Sequence, residues 1–278
     1  MPLFITSLNS GSNGNCYYIG NEEEAVLIDV GISCRETEKR MLRMGLSMSK
    51  VKAIFVSHEH GDHITGVPGL ARKYQLPVYI TEATFNHAGI PLEEGTRRSF
   101  VTDEPVTIGR LTVTPFSKYH DASDPYSFIV SGEGVTIGVF TDLGRPCNNL
   151  TRYFKQCHAA FLEANYDTDM LMKGNYPYHL KQRISGGNGH LSNHEALTVF
   201  LQHRSAGLSH LILSHLSKNN NHPELVQALF EKAAGNTHIV VASRYKETEV
   251  YSITTGVVPK RVIRKKSIVV KPTQLMLF

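Results

Sequence analysis

The stretch Ser57-His58-Glu59-His60-Gly61-Asp62-His63 decides how this chain is read. It closes a short β-rich run, Lys52–Ser57, whose apolar part is Ala53–Val56. On an extended segment, side chains two apart point the same way, so His58 and His60 face one point. Gly61 frees the chain to turn toward a helix, and that turn brings in Asp62 and His63. Imidazoles and a carboxylate packed this closely suit Zn²⁺ or another borderline divalent ion. One ion cannot easily take all four side chains, whereas two adjacent ions can share them. A surface cluster of polar residues is the plain alternative, but histidine is uncommon and this cluster ends a strand of buried character.

Outward from the cluster, apolar runs and turn residues alternate along the chain. Before it, Leu3–Leu8 and Ala25–Asp29 read as strands around a Ser/Gly/Asn loop, Asn9–Asn15, and Glu36–Met44 reads as a helix. After it, Gly66–Tyr74 is expected to be helical and Pro77–Ile80 extended. Strand-like runs follow at Val106–Ile108, Leu111–Phe116, Tyr126–Ser131 and Val135–Thr141, several of them separated by Gly-containing turns. The second half alternates: helix Asn148–Gln156, strand His158–Glu163, helix Asn193–His203 capped by Ser192 or Asn193, strand His210–Ser214 and helix Pro223–Ala234. His238–Val241 and Val250–Ile253 read as closing strands. Strands followed by helices in both halves predict two packed sheets with helices outside. The tail after Thr255 shows no period, so the expected division is a domain over 1–255 and a basic tail over 256–278.

The chain has 278 residues, 41% of them hydrophobic, enough for one large core. A formal net charge of +4 permits a nucleic-acid partner without demanding one. That charge is uneven: Lys260, Arg261, Arg264, Lys265, Lys266 and Lys271 fall in one stretch without an acid. Cys16, Cys34, Cys147 and Cys157 form no C-x-x-C pair and no disulfide framework, as expected of free thiols in a reducing compartment. No apolar run nears the ~20 residues of a membrane helix, and Met1–Ser12 lacks the features of a signal peptide. A cytoplasmic protein with no membrane partner is the expectation.

The His-x-His-x-Asp-His run after a strand resembles the signature of the metallo-β-lactamase fold superfamily. Ala25-Val26-Leu27-Ile28-Asp29-Val30-Gly31 resembles that superfamily's first motif, with Asp29 as a buttress of the metal loop. His120 in Tyr119-His120-Asp121-Ala122, Asp142 in Thr141-Asp142-Leu143-Gly144 and His215 in Leu213-Ser214-His215-Leu216-Ser217 resemble the later metal motifs. The resemblance implies an α/β (α+β) fold, a four-layer αββα sandwich, and a two-metal hydrolase. It also implies His58, His60 and His120 on one ion, Asp62, His63 and His215 on the other, and Asp142 between them. Zn²⁺ or Mn²⁺ is expected there, with Fe as a further option.

Finer motifs narrow the class. Ser10-Gly11-Ser12-Asn13-Gly14-Asn15, Glu163-Ala164-Asn165-Tyr166-Asp167, Gly189-His190-Leu191-Ser192-Asn193 and the Asn220 that follows Ser217 are similar to the YycJ (WalJ) family. That resemblance implies a 5′-to-3′ DNA exonuclease linked to mismatch repair. His190 stands outside the implied ligand set and is a candidate general acid, with Glu163 holding its tautomer, beside Asp62 as a catalytic residue. The loop Asn9–Asn15 is a candidate phosphate cradle through Ser12 and Asn13. Lys181, Arg183, Ser192, Asn193, Lys218 and Asn219 are candidate nucleic-acid contacts, though solvated surface is the ordinary role of Lys181, Arg183, Lys218 and Asn219 alone.

The end of the chain, Gln274-Leu275-Met276-Leu277-Phe278, resembles the bacterial sliding-clamp-binding peptide. Gln274, Leu275, Leu277 and Phe278 would be its anchors, and a strand packed on the domain is the alternative. A small-molecule hydrolase of cyclic phosphodiesters or thioesters, and an RNase similar to the tRNA 3′-processing enzyme, are the competing functions. The stretch between Asp142 and His215 is too short for the second domain of RNA-maturing relatives, which disfavours the RNase.

Overall fold

The computed structural model describes residues 1–255, so the basic stretch and the candidate clamp peptide Gln274–Phe278 lie outside the described residues. In chain order the strands are β1 (Leu3–Asn9), β2 (Cys16–Gly20), β3 (Ala25–Ile28), β4 (Val51–Phe55), β5 (Val78–Tyr79), β6 (Arg97–Arg98) and β7 (Val106–Ile108). They continue with β8 (Leu111–Ser117), β9 (Tyr126–Gly132), β10 (Val135–Phe140), β11 (Ala159–Glu163), β12 (His210–Ser214), β13 (His238–Val241) and β14 (Tyr251–Ile253). They form two seven-stranded sheets, ordered β14-β1-β2-β3-β4-β5-β6 and β13-β12-β11-β10-β9-β8-β7.

Alternation along each strand decides the layers. In β3 and β4, Val26, Ile28, Ala53 and Phe55 enter a core shared with Phe128, Val139 and Phe161 of the second sheet. Their neighbours Ala25, Leu27, Ile54 and Val56 pack outward on helices Cys34–Arg43 and Val67–Tyr74. The second sheet repeats this: Phe161 and Ile212 face inward, while Leu162, Leu211 and Leu213 meet helices Asn193–His203 and Pro223–Glu231. Apolar side chains on both faces make each sheet an inner layer, and the result is the expected four-layer αββα sandwich.

In both sheets the parallel strands deliver their carboxyl ends to one edge. β3 runs parallel to β4, and β10, β11 and β12 run parallel to one another. In open α/β sheets that edge is where ligands bind. Asp29, Asp142 and His215 follow β3, β10 and β12 and adopt left-handed backbone angles, with φ of 58°, 53° and 56°. The sharp reversal there points each side chain back into the edge instead of letting the strand run on.

Expected elements recur with ends in place or shifted by up to three residues. Six short ones were not expected: β2, β6, the 3-10 turn Met48–Lys50, and helices Glu82–Ala88, Thr168–Lys173 and Tyr178–Ser185. β2 directly follows the polar loop, and each helix runs only about two turns, too brief to display a clear period. Among the described residues no helix is long and apolar enough to cross a membrane.

Candidate metal centre

The site is built from β4 outward. Asp29 is fully buried and takes three bonds from the loop after β4. Its Oδ1 accepts from the Ser57 backbone N–H at 2.8 Å, and its Oδ2 accepts from Ser57 Oγ at 2.8 Å and from His63 Nδ1 at 2.7 Å. Asp29 is therefore the support it was expected to be, and it turns His63 Nε2 toward the cavity. Three of the other imidazoles are oriented in the same manner, by a bond to the far nitrogen. His58 Nδ1 donates to Ser57 Oγ at 2.8 Å, His120 Nδ1 to Gly189 O at 2.9 Å and His215 Nδ1 to Glu163 Oε1 at 2.9 Å.

The freed nitrogens converge. His58, His60 and His120 bring one ligand atom each within 4.8 Å of one another, as do Asp62, His63 and His215. Asp142 lies between the sets, with Oδ2 3.2 Å from His63 Nε2 and Oδ1 3.9 Å from His120 Nε2. Asp142 Oδ2 and His215 Nε2 are buried without a hydrogen-bond partner. Unpaired buried polar atoms are costly, and a divalent cation would satisfy both. The donor set therefore fits divalent metal ions.

Charge is divided across the site. Burial, then His63 and Lys118, hold His58 well below its ordinary range, and burial brings His120 down to about 4. Both stay neutral and able to ligate. Burial also opposes charge on His215, but Asp142, then Asp62 and Glu163, lift it to about 10. Burial likewise opposes ionisation of Asp62, yet His63 and His215 bring its carboxyl down to about 2. Glu163 falls to about 2 in the same way, against burial, through His190 and His215.

Glu163 is the hub behind the second imidazole set. Its Oε1 accepts from both His190 Nδ1, at 2.8 Å, and His215 Nδ1, and its Oε2 accepts from Leu143 N at 2.6 Å and Leu191 N at 3.3 Å. Asp142, Glu163, His190 and His215 also lie close enough to share an ion. Glu163 Oε1 and the Nδ1 atoms of His190 and His215 are already spent on hydrogen bonds with one another, so Glu163 reads as scaffolding. His190 is partly exposed, which leaves its Nε2 toward the open side.

The remaining candidates divide. In the loop Asn9–Asn15, the N–H groups of Ser10, Gly11, Gly14 and Asn15 are bonded to Ser243 O, Asn15 Oδ1, Gly11 O and Asp62 O. A phosphate cradle in that loop would have only Ser12 and Asn13 left. Ser192 and Asn193 need correction: both are buried, Ser192 in a capping box with Glu195 and Asn193 in a bond with Asn221, so neither has surface for nucleic acid. Arg183 is exposed but ion-paired with Asp121 at 2.5 Å, and Lys181 donates to Met172 O. Lys218 and Asn219 are exposed.

Four contributors escaped the sequence reading. Lys118 is buried, donates from Nζ to Thr141 O at 2.7 Å, and stands behind the carboxylates, where burial draws its pKa down against Asp142, Asp29 and Glu163. Its signal was a lysine two residues before His120, at the end of an alternating strand. Asn15 Nδ2 reaches Asp62 Oδ2 at 3.2 Å, and Asn165 Nδ2 donates to His215 O at 2.7 Å. Asp121 holds a buried Oδ1 3.4 Å from His120 Nε2. Asparagines in loops carry no pattern that separates such roles from turns.

This fold and this donor set define a metal-dependent hydrolase of the metallo-β-lactamase class. The family described as Beta-lactamase superfamily domain matches residues 24–216. The chain is 35% identical over 245 residues to Exodeoxyribonuclease YycJ of Bacillus anthracis, covering 84% of this chain and 92% of that one. It is 30% identical to Exodeoxyribonuclease WalJ of Streptococcus pneumoniae serotype 2, covering 78% and 83%. The chain belongs to this YycJ/WalJ family within the beta-lactamase superfamily. Among solved structures it is similar to the metallo-β-lactamase fold protein YhfI from Bacillus subtilis, with a TM-score of 0.70, 18% identity, and coverage of 91% of this chain and all (100%) of that one. Zn²⁺-bound PqqB from Methylobacterium extorquens, with a TM-score of 0.64, 14% identity and coverage of 88% and 99%, shares the fold.

Proposed function

We propose that this enzyme is a two-metal DNA exonuclease that degrades 5′ to 3′ in DNA repair. The observation that carries this reading is the His190–Glu163 pair beside the converging donors, in a chain of the exodeoxyribonuclease family. In this proposal His58, His60 and His120 hold one cation, Asp62, His63 and His215 hold the second, and Asp142 reaches both. Zn²⁺ or Mn²⁺ suits such an imidazole–carboxylate set, and Fe is admissible. Bound there, the cations supply Lewis acidity toward a phosphate oxygen and toward the attacking water.

The chain's own groups do the rest. Asp62, steadied by the Asn15 amide, orients the attacking water. His190 gives a proton from Nε2 to the leaving oxygen, while Glu163 Oε1 keeps a proton on Nδ1 and steadies the imidazolium. Lys181, Arg183, Lys218 and Asn219 flank the phosphate backbone, as do Ser12 and Asn13 at the loop tip. Residues 256–278 act as a separate basic tail along DNA. Its Gln274, Leu275, Leu277 and Phe278 dock on the sliding clamp, and the enzyme works in the cytoplasm.

The test is digestion of end-labelled duplex DNA by metal-stripped protein refilled with Mn²⁺ or Zn²⁺, with Asp62→Asn as control. Metal-dependent release of label from the 5′ end, absent in the control, is expected. A full metal load without DNA cleavage would shift the assignment to a small phosphoester or thioester. Loss of clamp binding on deletion of Gln274–Phe278, with DNA cleavage retained, is expected for the tail, and unchanged clamp affinity would refute it.

A further inference from the structure

A cavity of about 400 Å³ opens beside the metal centre, lined by Ser10, Leu216, Lys218, Arg244, Tyr245 and Lys246, with Glu224 also on its wall. It adjoins the site directly. Leu216 follows His215, and Ser10 Oγ accepts the His215 backbone N–H at 2.8 Å. Arg244 anchors the far wall: its Nη2 donates to Ser12 Oγ at 3.0 Å and to Leu216 O at 3.3 Å, and both partners are uncharged oxygens.

Tyr245 is the unusual part. Three successive carbonyls of its segment are tied down, Ser243 O by Ser10 N, Arg244 O by Asn13 Nδ2 and Tyr245 O by Arg40 Nη2. All three donors belong to the loop and helix that flank the metal site. A segment with no regular secondary structure is thus pinned at three successive residues, yet Tyr245 is 71% exposed. Exposed aromatics are ordinarily unremarked when they sit on mobile chain. One fixed by its backbone between Arg244 and Lys246, at the mouth of a cavity beside a phosphoester site, has the make-up of a stacking platform for single-stranded nucleic acid.

We infer that this cavity is a binding groove for the strand flanking the scissile phosphate, with Tyr245 stacking on a nucleobase and Arg244 and Lys246 beside the backbone phosphates. The inference rests on the nuclease reading. A base stacked on tyrosine adds affinity regardless of which base it is, so the groove holds the strand in register while the metal centre cuts any sequence.

The experiment compares the wild type with Tyr245→Ala and Tyr245→Phe, all metal-loaded, on a single-stranded oligonucleotide and on bis(p-nitrophenyl) phosphate, which has no strand to stack. Tyr245→Ala should raise KM for the oligonucleotide on the order of tenfold, with little change in kcat. That loss should exceed any loss on the small ester by a similar factor, and Tyr245→Phe should behave as wild type. Equal losses on both substrates would mean that Tyr245 only supports the metal loop, and would overturn the groove. So would an unchanged KM in Tyr245→Ala, or a Phe variant as weak as Ala, while the nuclease reading stood. Wild type that turns over the small ester but no nucleic acid would overturn both readings.

Discussion

Strand β12 has a buried histidine at its start and another just past its end, and their surroundings drive them in opposite directions. His210 packs against rings, its centroid 5.3 Å from His238 and 5.0 Å from Tyr251. Burial, with His238 adding to it, pushes its pKa down to about 4. His215 is as deeply buried, but the carboxylates Asp142, Asp62 and Glu163 outweigh burial and lift it to about 10. Burial alone makes a histidine inert. Carboxylates converging on it from several strands, with one ring nitrogen left unpaired, make it a candidate cation ligand.

The largest expected effect separates the two ends outright. His215→Ala should abolish turnover and lower the metal content measured by elemental analysis, whereas His210→Gln should keep both near wild type. Comparable metal loss in the two variants would erase the distinction. Next in size, His190→Ala should slow turnover roughly 10²- to 10⁴-fold, as removal of a general acid does, with metal content retained. A metal-depleted His190→Ala protein would make His190 a ligand instead. Glu163→Gln is expected to be milder, since the carboxylate acts by orienting His190 and His215. A loss of about 10- to 100-fold in metal affinity is the scale for such support, read by competition with a chelator.

The smallest effect belongs to the quiet end. His210 has a folded pKa below its unfolded value, so its neutral form contributes stability above pH ~6.5. That contribution is lost as pH falls from there toward the folded value of about 4. At pH 5 the loss is about 2 kcal/mol, or a few degrees in Tm. The drop in Tm between pH 7 and pH 5 should therefore be smaller in His210→Gln than in wild type. Equal drops would show that His210 titrates normally in the fold.

How much could be read in advance follows the same division. His58, His60, Asp62 and His63 sit in one turn of chain, so their geometry is local and legible from spacing. Asp142, Glu163 and His215 come from three parallel strands far apart in sequence, and nothing local marks them. They were reached through resemblance and through falling at strand ends. The alternating apolar runs made the sandwich legible, because strands buried on both faces need helices outside and a second sheet inside. What stayed hidden was carried by uncharged or unexpectedly buried side chains. Lys118 had no reading in the sequence and lies buried in the fold, and for Ser192 and Asn193 the expected helix cap and a bond with Asn221 leave no room for the nucleic-acid contact.

The left-handed backbone at Asp29, Asp142 and His215 bears on how the protein can be improved in the laboratory. Each of these residues holds a conformation that glycine adopts freely and that costs other residues on the order of 1 kcal/mol or more. Glycine at Asp29 or His215 would strand the buried groups bonded to their side chains, but a selection that rewards heat resistance alone would find glycine attractive at Asp142, whose buried Oδ2 has no hydrogen-bond partner. Variants recovered that way would be sturdier and dead, so any stabilising programme for this enzyme has to screen turnover at every round.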